Sequence, residues 1–433
     1  MLFHSGSFLV LFTVLVAVFT FHPKARVLLW ASLLYYGLSN GWLMATLIVT
    51  AVVDYGIARA IHRRRRRWQL VASIASSSSI LVFFKVDPLA IGLPIGISFY
   101  TFQSISYVVD VYRGRLKPCE GLREYALYLS FFPQIVAGPI VRGDELLPQL
   151  RRPMAPSGED VTEGMQRIVA GVAKKALIAD YLGVYADLVF GSPASYAGPE
   201  VVLAVYAYAL QIYFDFSGYS DVAIGMARVL GVRLPENFEA PYRAKSIADF
   251  WRRWHITLSR WVRDYLFIPL GLLAGRNRVL RYASVLASMV LVGLWHGIGW
   301  GFLLWGALHG AALVAHARWR LFDRWLITFH FVVLSWIPFR SPTLGDAALL
   351  LRRATIEWDL SRCLTVLEVR GPQLLVMGFG ATLALCPPRW LARPADWFVR
   401  APTLAKAAVF VLLAQSVLQM RSAEIQPFIY FQF

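Results

Sequence analysis

Sulfur and charge are both scarce in this chain. Only three cysteines occur in 433 residues, Cys119, Cys363 and Cys386. They have neither metal-ligand spacing nor an evident pairing, so a disulfide framework and a thiolate metal centre are excluded as organising features. Charged residues make up 16% of the chain against 58% hydrophobic, too few to clothe a soluble protein of this length. Also missing are a P-loop, a G-x-S-x-G nucleophile elbow and a histidine pair at metal spacing. Serine-nucleophile chemistry would need a base and an orienting acid that the sequence does not assemble. No internal repeat and no low-complexity linker interrupts the chain.

What is abundant is apolar length. Mean hydropathy is +0.54, and runs long enough to cross a bilayer, at roughly 20 residues each, recur along nearly the whole sequence. Spans or deep segments fall at about 2–21, 27–40, 41–61, 69–85, 93–112, 124–140, 166–190, 199–216, 280–296, 298–316, 325–338, 372–386 and 403–420. Of these, roughly ten or eleven are expected to cross fully. The first run lacks a basic leader and a clear cleavage site, so it reads as a retained span rather than a signal peptide.

The formal charge of +17 does not indicate nucleic-acid binding, because the arginines sit in short loops and beside apolar runs. Lys24 and Arg26 follow the first span and His62 to Arg67 follow the third, which places both loops in the cytoplasm and the N-terminus outside. Proline and glycine interrupt Leu93–Phe99 ("LPIGISF") and Phe131–Ile140 ("FFPQIVAGPI"). Broken backbone at membrane depth is tolerated where it is buried in protein or lines a cavity. Neither polar stretch, Arg142–Arg167 or Ser341–Arg362, is long enough for a soluble domain. The expectation is a single all-α integral membrane domain over 1–433, a polytopic bundle with re-entrant and interfacial helices.

The stretch "FWRRWHITLSRWVRDYLF", Phe250–Phe267, is the most informative. On a continuous helix at about 100° per residue, Phe250, Trp251, Trp254, Leu258, Trp261, Val262, Tyr265 and Leu266 share an arc of roughly 160°. Arg252, Arg253, Arg260, Arg263 and Asp264 take the opposite arc, and Ile256 breaks the division. Such a helix belongs along the membrane interface. His255 falls among the tryptophans, where it is either a packed histidine or a site residue.

A second histidine, His296, ends an apolar span and precedes Gly297, Gly299 and Gly301, which let backbone or ligand approach closely. An ionisable group within a span is a candidate functional residue by default. His309 shares a helix face with Trp305 and His316 and reads as a packing or hydrogen-bonded residue. Asp215 and Asp221 flank a Ser-Gly pair expected to be a turn at the end of a span. There they would cap the next helix or order arginines of the amphipathic segment.

Seven segments together carry a resemblance: "LPIGISFYTFQSISYVVDVYRG", "FFPQIVAGPIVR", "YFDFSGYSDVAIG", "ENFEAPYRAKSIADFWRRWHITLSRWVRDYLFIPLG", "GLWHG", "SWIPFRS" and the terminal "FIYFQF". In unbroken order from about Leu93 to Phe433, they resemble the membrane-bound O-acyltransferase (MBOAT) family. Within that family they resemble the branch of bacterial polysaccharide O-acetyltransferases, such as the alginate O-acetyltransferase membrane subunit. The resemblance implies a multi-helix fold around a central funnel in a bacterial inner membrane. It further implies a cytoplasmic acyl-thioester donor, acetyl-CoA or another, with no metal. The acceptor would be an extracytoplasmic polysaccharide, reached through a separate extracytoplasmic acyltransferase or acyl-relay subunit. Membrane lipids are the remaining partners, and nucleic acid is not one. His296, in "LWHG", takes the place of the family's essential histidine, and His255 that of a second polar site residue. After "YLFIPLG" this chain continues "LLAGRNRV" where relatives carry a glycine-rich basic turn, which leaves donor contacts there unassigned.

A neutral imidazole, with an ordinary pKa of about 6.5, suits deprotonation of a nucleophile at neutral pH. His296 is the candidate base, His255 would polarise the thioester carbonyl or hold the donor, and amides near 297–301 would stabilise an oxyanion. The tail packs four rings into its last six residues, with one hydroxyl on Tyr430. A tyrosyl ester keeps much of a thioester's reactivity, so Tyr430 is either a covalent acyl relay anchored by Phe428, Phe431 and Phe433 or part of a packing plug. The competing class is a polymer or lipid transporter with His296 as a proton relay. It would need no thioester, whereas a transferase consumes one without any gradient.

Overall fold

The apolar runs fold as helices, and no strand occurs among the described residues. The computed structural model describes residues 6–22, 24–86, 92–136, 138–153, 155–320, 323–358, 360–387, 390 and 397–420. Among them five helical stretches are long and apolar enough to cross a membrane: Ala25–Arg63, Arg67–Val86, Gly198–Val229, Arg278–His296 and Trp300–Trp319. Val10–Phe21, Trp325–Arg340 and Gly371–Leu385 are shorter apolar helices. Helices satisfy every backbone group within the segment, which is what an apolar medium demands. The segments expected at 27–40 and 41–61 form one 39-residue run through a 3-10 turn at Gly41–Leu43. The described residues divide into two compact units, Met1–Ala170 with Tyr219–Glu236, and Gly171–Gly218 with Asn237–Phe433.

In the first unit, the helix Ile97–Arg113 buries nearly every side chain, including Gln103, Ser104 and Asp110. It begins after Gly96, whose φ of +83° and a would-be Cβ 2.2 Å from the Ile135 carbonyl leave room for glycine alone. The buried carboxylate of Asp54 accepts hydrogen bonds from Ser73 at 2.6 Å, Ser77 at 2.9 Å and Ser104. Three hydroxyls from two neighbouring helices thus replace the water that a membrane-buried acid lacks.

The break expected near Phe131 is real. The Leu122–Ser130 helix stops, and a four-residue turn, Phe132–Ile135, follows. Side chains satisfy the irregular backbone there: Gln134 donates to the Tyr128 carbonyl at 2.8 Å, and Tyr128 to the Val141 carbonyl at 3.1 Å.

One correction concerns the Ser-Gly pair at 217–218, which does not end a span. Gly198–Val229 is a single 32-residue helix that runs straight through it. A Cβ on Gly218 would lie 2.7 Å from the Gly171 carbonyl, so this glycine serves close helix approach and not a turn. Asp221 accordingly caps nothing and binds Arg167 at 2.9 Å, while Asp215 binds Lys175 at 2.6 Å. The segment expected at 166–190 is likewise not one regular helix. Gly158–Ala173 leads into a π-helical stretch, Lys174–Ala179, and then Asp180–Gly191. In the second unit, Arg278–His296 and Trp300–Trp319 pair tightly, with Gly293 against the Phe302 carbonyl and Gly306 against the Met289 carbonyl.

Candidate active site: two histidines within an aromatic enclosure

The amphipathic segment is broken where a helical wheel made it continuous. Ile247–Arg253 is one helix, N-capped by Ser246, and Ile256–Val262 is the next. A π-helical turn, Arg263–Phe267, follows. Between the first two, Trp254 is extended and His255 adopts φ 41°, ψ 56°, the left-handed region. A non-glycine residue there costs on the order of 1–2 kcal/mol. Segment 237–239 compensates with backbone hydrogen bonds, from Glu239 N–H to the Arg253 carbonyl at 3.0 Å and from Ile256 N–H to the Asn237 carbonyl at 2.9 Å. These partners are distant in sequence, which is why periodicity alone misses the break. The expected division of faces survives it: Phe250, Trp254, Leu258 and Trp261 are buried, whereas Arg252 and Arg263 are exposed.

The break turns the His255 ring inward. Its Nδ1 lies 3.0 Å from Asn237 Oδ1. Phe216 meets it edge to face with centroids 4.6 Å apart, and Phe238 stacks at 6.4 Å. His296 is the last residue of its helix and is also buried. Trp295, Trp305 and Phe339 surround it at centroid distances of 4.6, 5.3 and 5.1 Å. Trp295 also lies 6.5 Å from His255, so one indole borders both imidazoles. Trp336 continues the wall, 5.2 Å from Trp254 and 5.7 Å from Trp305. The structure therefore gathers the two candidate histidines into one aromatic enclosure that shields both from bulk water.

The glycines after His296 have specific neighbours. A Cβ on Gly297 would sit 2.2 Å from the Phe302 ring, and one on Gly301 would sit 2.2 Å from the Pro338 carbonyl. The amide of Gly297 donates to Gly293 and that of Gly299 to Gly297, at 3.3 and 3.2 Å. Those two amides are committed to the backbone and are not among the donors that this turn could offer an oxyanion. His309 is a packing residue, as its helix face suggested: its Nε2 meets the Ser335 hydroxyl at 2.9 Å inside the same aromatic wall.

Two features were missed in the sequence. Lys175 is buried and binds both Asp180 and Asp215 at 2.6 Å, an ion cluster one residue before the Phe216 that packs on His255. Asn237, the partner of His255, lies in the quoted motif "ENFEAPYR" but carries no charge and no periodicity to mark it. Among the described residues no group of three or more His, Cys, Asp or Glu side chains is placed to hold a metal ion. Tyr430 lies outside the described residues.

The site so described is two buried histidines among aromatic rings in an all-helical chain with several apolar helices. The model of the membrane-bound O-acyltransferase family matches residues 120–339, which include both His255 and His296. The chain is 35% identical over 408 residues to the probable alginate O-acetylase of Azotobacter vinelandii, covering 83% of this chain and 80% of that protein. It is 34% identical over 390 residues to the peptidoglycan O-acetyltransferase of Helicobacter pylori, covering 76% and 73%. To the teichoic acid D-alanyltransferase of Bacillus subtilis it is 28% identical over 272 residues, covering 57% and 68%. The chain belongs to the membrane-bound O-acyltransferase family, and it is an acyltransferase.

Proposed function

We propose that the chain takes an acyl group, an acetyl group, from a cytoplasmic thioester such as acetyl-CoA and moves it across the bacterial inner membrane for O-acetylation of an extracytoplasmic polysaccharide such as alginate. The observation that carries this reading is the pair His255 and His296 sharing Trp295 within the matched region. The family and the activities named for the relatives support acyl transfer over the transporter alternative. The reading takes the chain as one integral membrane acyltransferase domain.

In this reading a hydroxyl attacks the thioester carbonyl. The new C–O bond forms as the C–S bond breaks, His296 takes the hydroxyl proton, and that proton leaves with the thiol. His255 is the second site histidine. Tyr430 supplies the first attacking hydroxyl, and its ester is then consumed by an extracytoplasmic transferase or relay subunit. The N-terminus is outside and the Arg63–Arg67 loop cytoplasmic, on the donor side.

The test is complementation of a deletion strain, with mass spectrometry of the exopolysaccharide. Wild-type protein restores O-acetyl groups and His296→Ala, expressed at the same level, does not. Normal acetylation by that variant removes His296 from the mechanism. A cysteine placed beside Arg65 in a background lacking the native cysteines is labelled by an impermeant thiol reagent only in opened cells. Labelling in intact cells inverts the orientation.

A further inference from the structure

The question left by the enclosure is which nitrogen of His255 works, and the answer rests on the reading of His255 as a site residue. We propose that Asn237 is a positioning residue that holds the His255 proton on Nδ1, so that Nε2 meets the reactants as a hydrogen-bond acceptor.

The orientation of the Asn237 carboxamide is set by Thr257. The backbone N–H of Thr257, which can only donate, points at Asn237 Oδ1 from 3.4 Å, and the Thr257 hydroxyl reaches the same atom at 2.9 Å. An amide nitrogen in that place would set donor against donor, so the atom there is the oxygen. That oxygen only accepts, and His255 Nδ1 lies 3.0 Å from it. Nδ1 therefore carries the hydrogen, and in a neutral imidazole the lone pair is then on Nε2. Asn237 and His255 are 0% and 1% exposed, so solvent does not compete for the bond. The same residue accepts the Ile256 amide through its main-chain carbonyl at 2.9 Å. One asparagine thus holds both the left-handed backbone of the break and the ring that the break turns inward.

This geometry narrows the role expected of His255. A neutral ring with its proton on Nδ1 cannot polarise a thioester carbonyl through Nε2, because that would take a donor. What Nε2 can do is accept a hydrogen bond from an N–H or O–H of the bound thioester donor, which keeps the donor-holding role expected of His255 and leaves the single proton of the attacking hydroxyl to His296.

The test uses the full chain in lipid with nitrogen-15 histidine. His255 is identified as the signal lost in His255→Ala, and near neutral pH it is expected as the neutral tautomer with hydrogen on Nδ1. Hydrogen on Nε2, or an imidazolium, overturns the proposal. In cells, Asn237→Leu, similar in size but without an acceptor, is expected to lower polymer acetylation at least about tenfold, because the tautomer is released. Asn237→Asp, which keeps the oxygen and Nδ1–H, is expected to rescue it to within about threefold of wild type. Wild-type acetylation by Asn237→Leu, or an equal loss in both variants while both retain wild-type thermal stability, overturns the positioning role. If instead His255→Ala acetylates normally while the Nδ1 tautomer is observed, the site reading fails and the tautomer assignment stands.

Discussion

Ser335 accepts a hydrogen bond from Nε2 of His309 at 2.9 Å while giving its own proton to the Val332 carbonyl at 2.7 Å. Because the serine proton is spent on the backbone, His309 must be the donor, and its Nε2 is committed to holding two helices together. Three buried histidines of one aromatic wall thus have different duties. His309 ties Trp300–Trp319 to Trp325–Arg340, whereas His255 and His296 flank Trp295.

The first prediction separates these duties. His309→Ala loses the Ser335 bond and the ring packing against Trp305, and is expected to lower stability by about 2–4 kcal/mol. It should keep measurable acetylation at low growth temperature. His296→Ala is expected to behave the opposite way, with near-normal thermal unfolding in detergent and no acetylation. Matching thermal and acetylation profiles for the two variants would refute the assignment.

The Lys175 cluster supports a second prediction. Its side chain is 7% exposed and its ammonium contacts two carboxylates, of which the Asp215 side chain is 2% exposed. Removing the cation strands Asp215 in the interior, at a cost of about 3–5 kcal/mol. Lys175→Met should therefore expose the protein to unfolding at a markedly lower temperature. Adding Asp215→Leu removes the stranded charge, so the double variant should recover part of the loss. A double variant less stable than the single one would show that the ion pair is not the source of the effect.

Helix contact by glycine gives a third. Gly218→Ala sets a methyl group 2.7 Å from the Gly171 carbonyl, which forces the two backbones apart at about 1–3 kcal/mol. Gly378→Ala, in a helix where a Cβ would meet nothing within 4 Å, should be neutral or stabilising by up to about 1 kcal/mol. Thermal midpoints of the two purified variants decide it, and equal midpoints would mean that Gly218 has no packing role.

How much of this could be read from the residues follows from the range of the interactions involved. Hydropathy located the helices because each satisfies its own backbone locally, and Arg278–His296 and Trp300–Trp319 fall within a few residues of expectation. The Ser-Gly pair misled because glycine serves a turn and a close helix contact equally well, and only the partner Gly171 distinguishes them. His255 was legible as a residue but not as a geometry. Its left-handed backbone depends on bonds from Asn237 and Glu239, more than a dozen residues upstream, which no wheel contains. Lys175 and Asp215 were invisible as a pair because they lie forty positions apart in the chain.

The last prediction concerns Tyr430. As a covalent relay, its phenol takes the acyl group from the thioester before any acceptor is reached, so loss of the oxygen stops the reaction. Tyr430→Phe keeps the ring and nearly all of its packing, and removes only one hydroxyl, usually worth about 1 kcal/mol. A packing plug would therefore tolerate this change and keep polymer acetylation near wild type. The relay instead demands near-complete loss of acetylation, with donor turnover reduced to slow leakage onto water. Acid-quenched wild-type protein incubated with labelled acetyl-CoA should carry the acetyl mass on its C-terminal peptide. The same peptide from His296→Ala should be unmodified, because the base acts before the ester forms. Wild-type acetylation by Tyr430→Phe would reduce the tail to a plug, and the acyl group would then pass directly from thioester to acceptor.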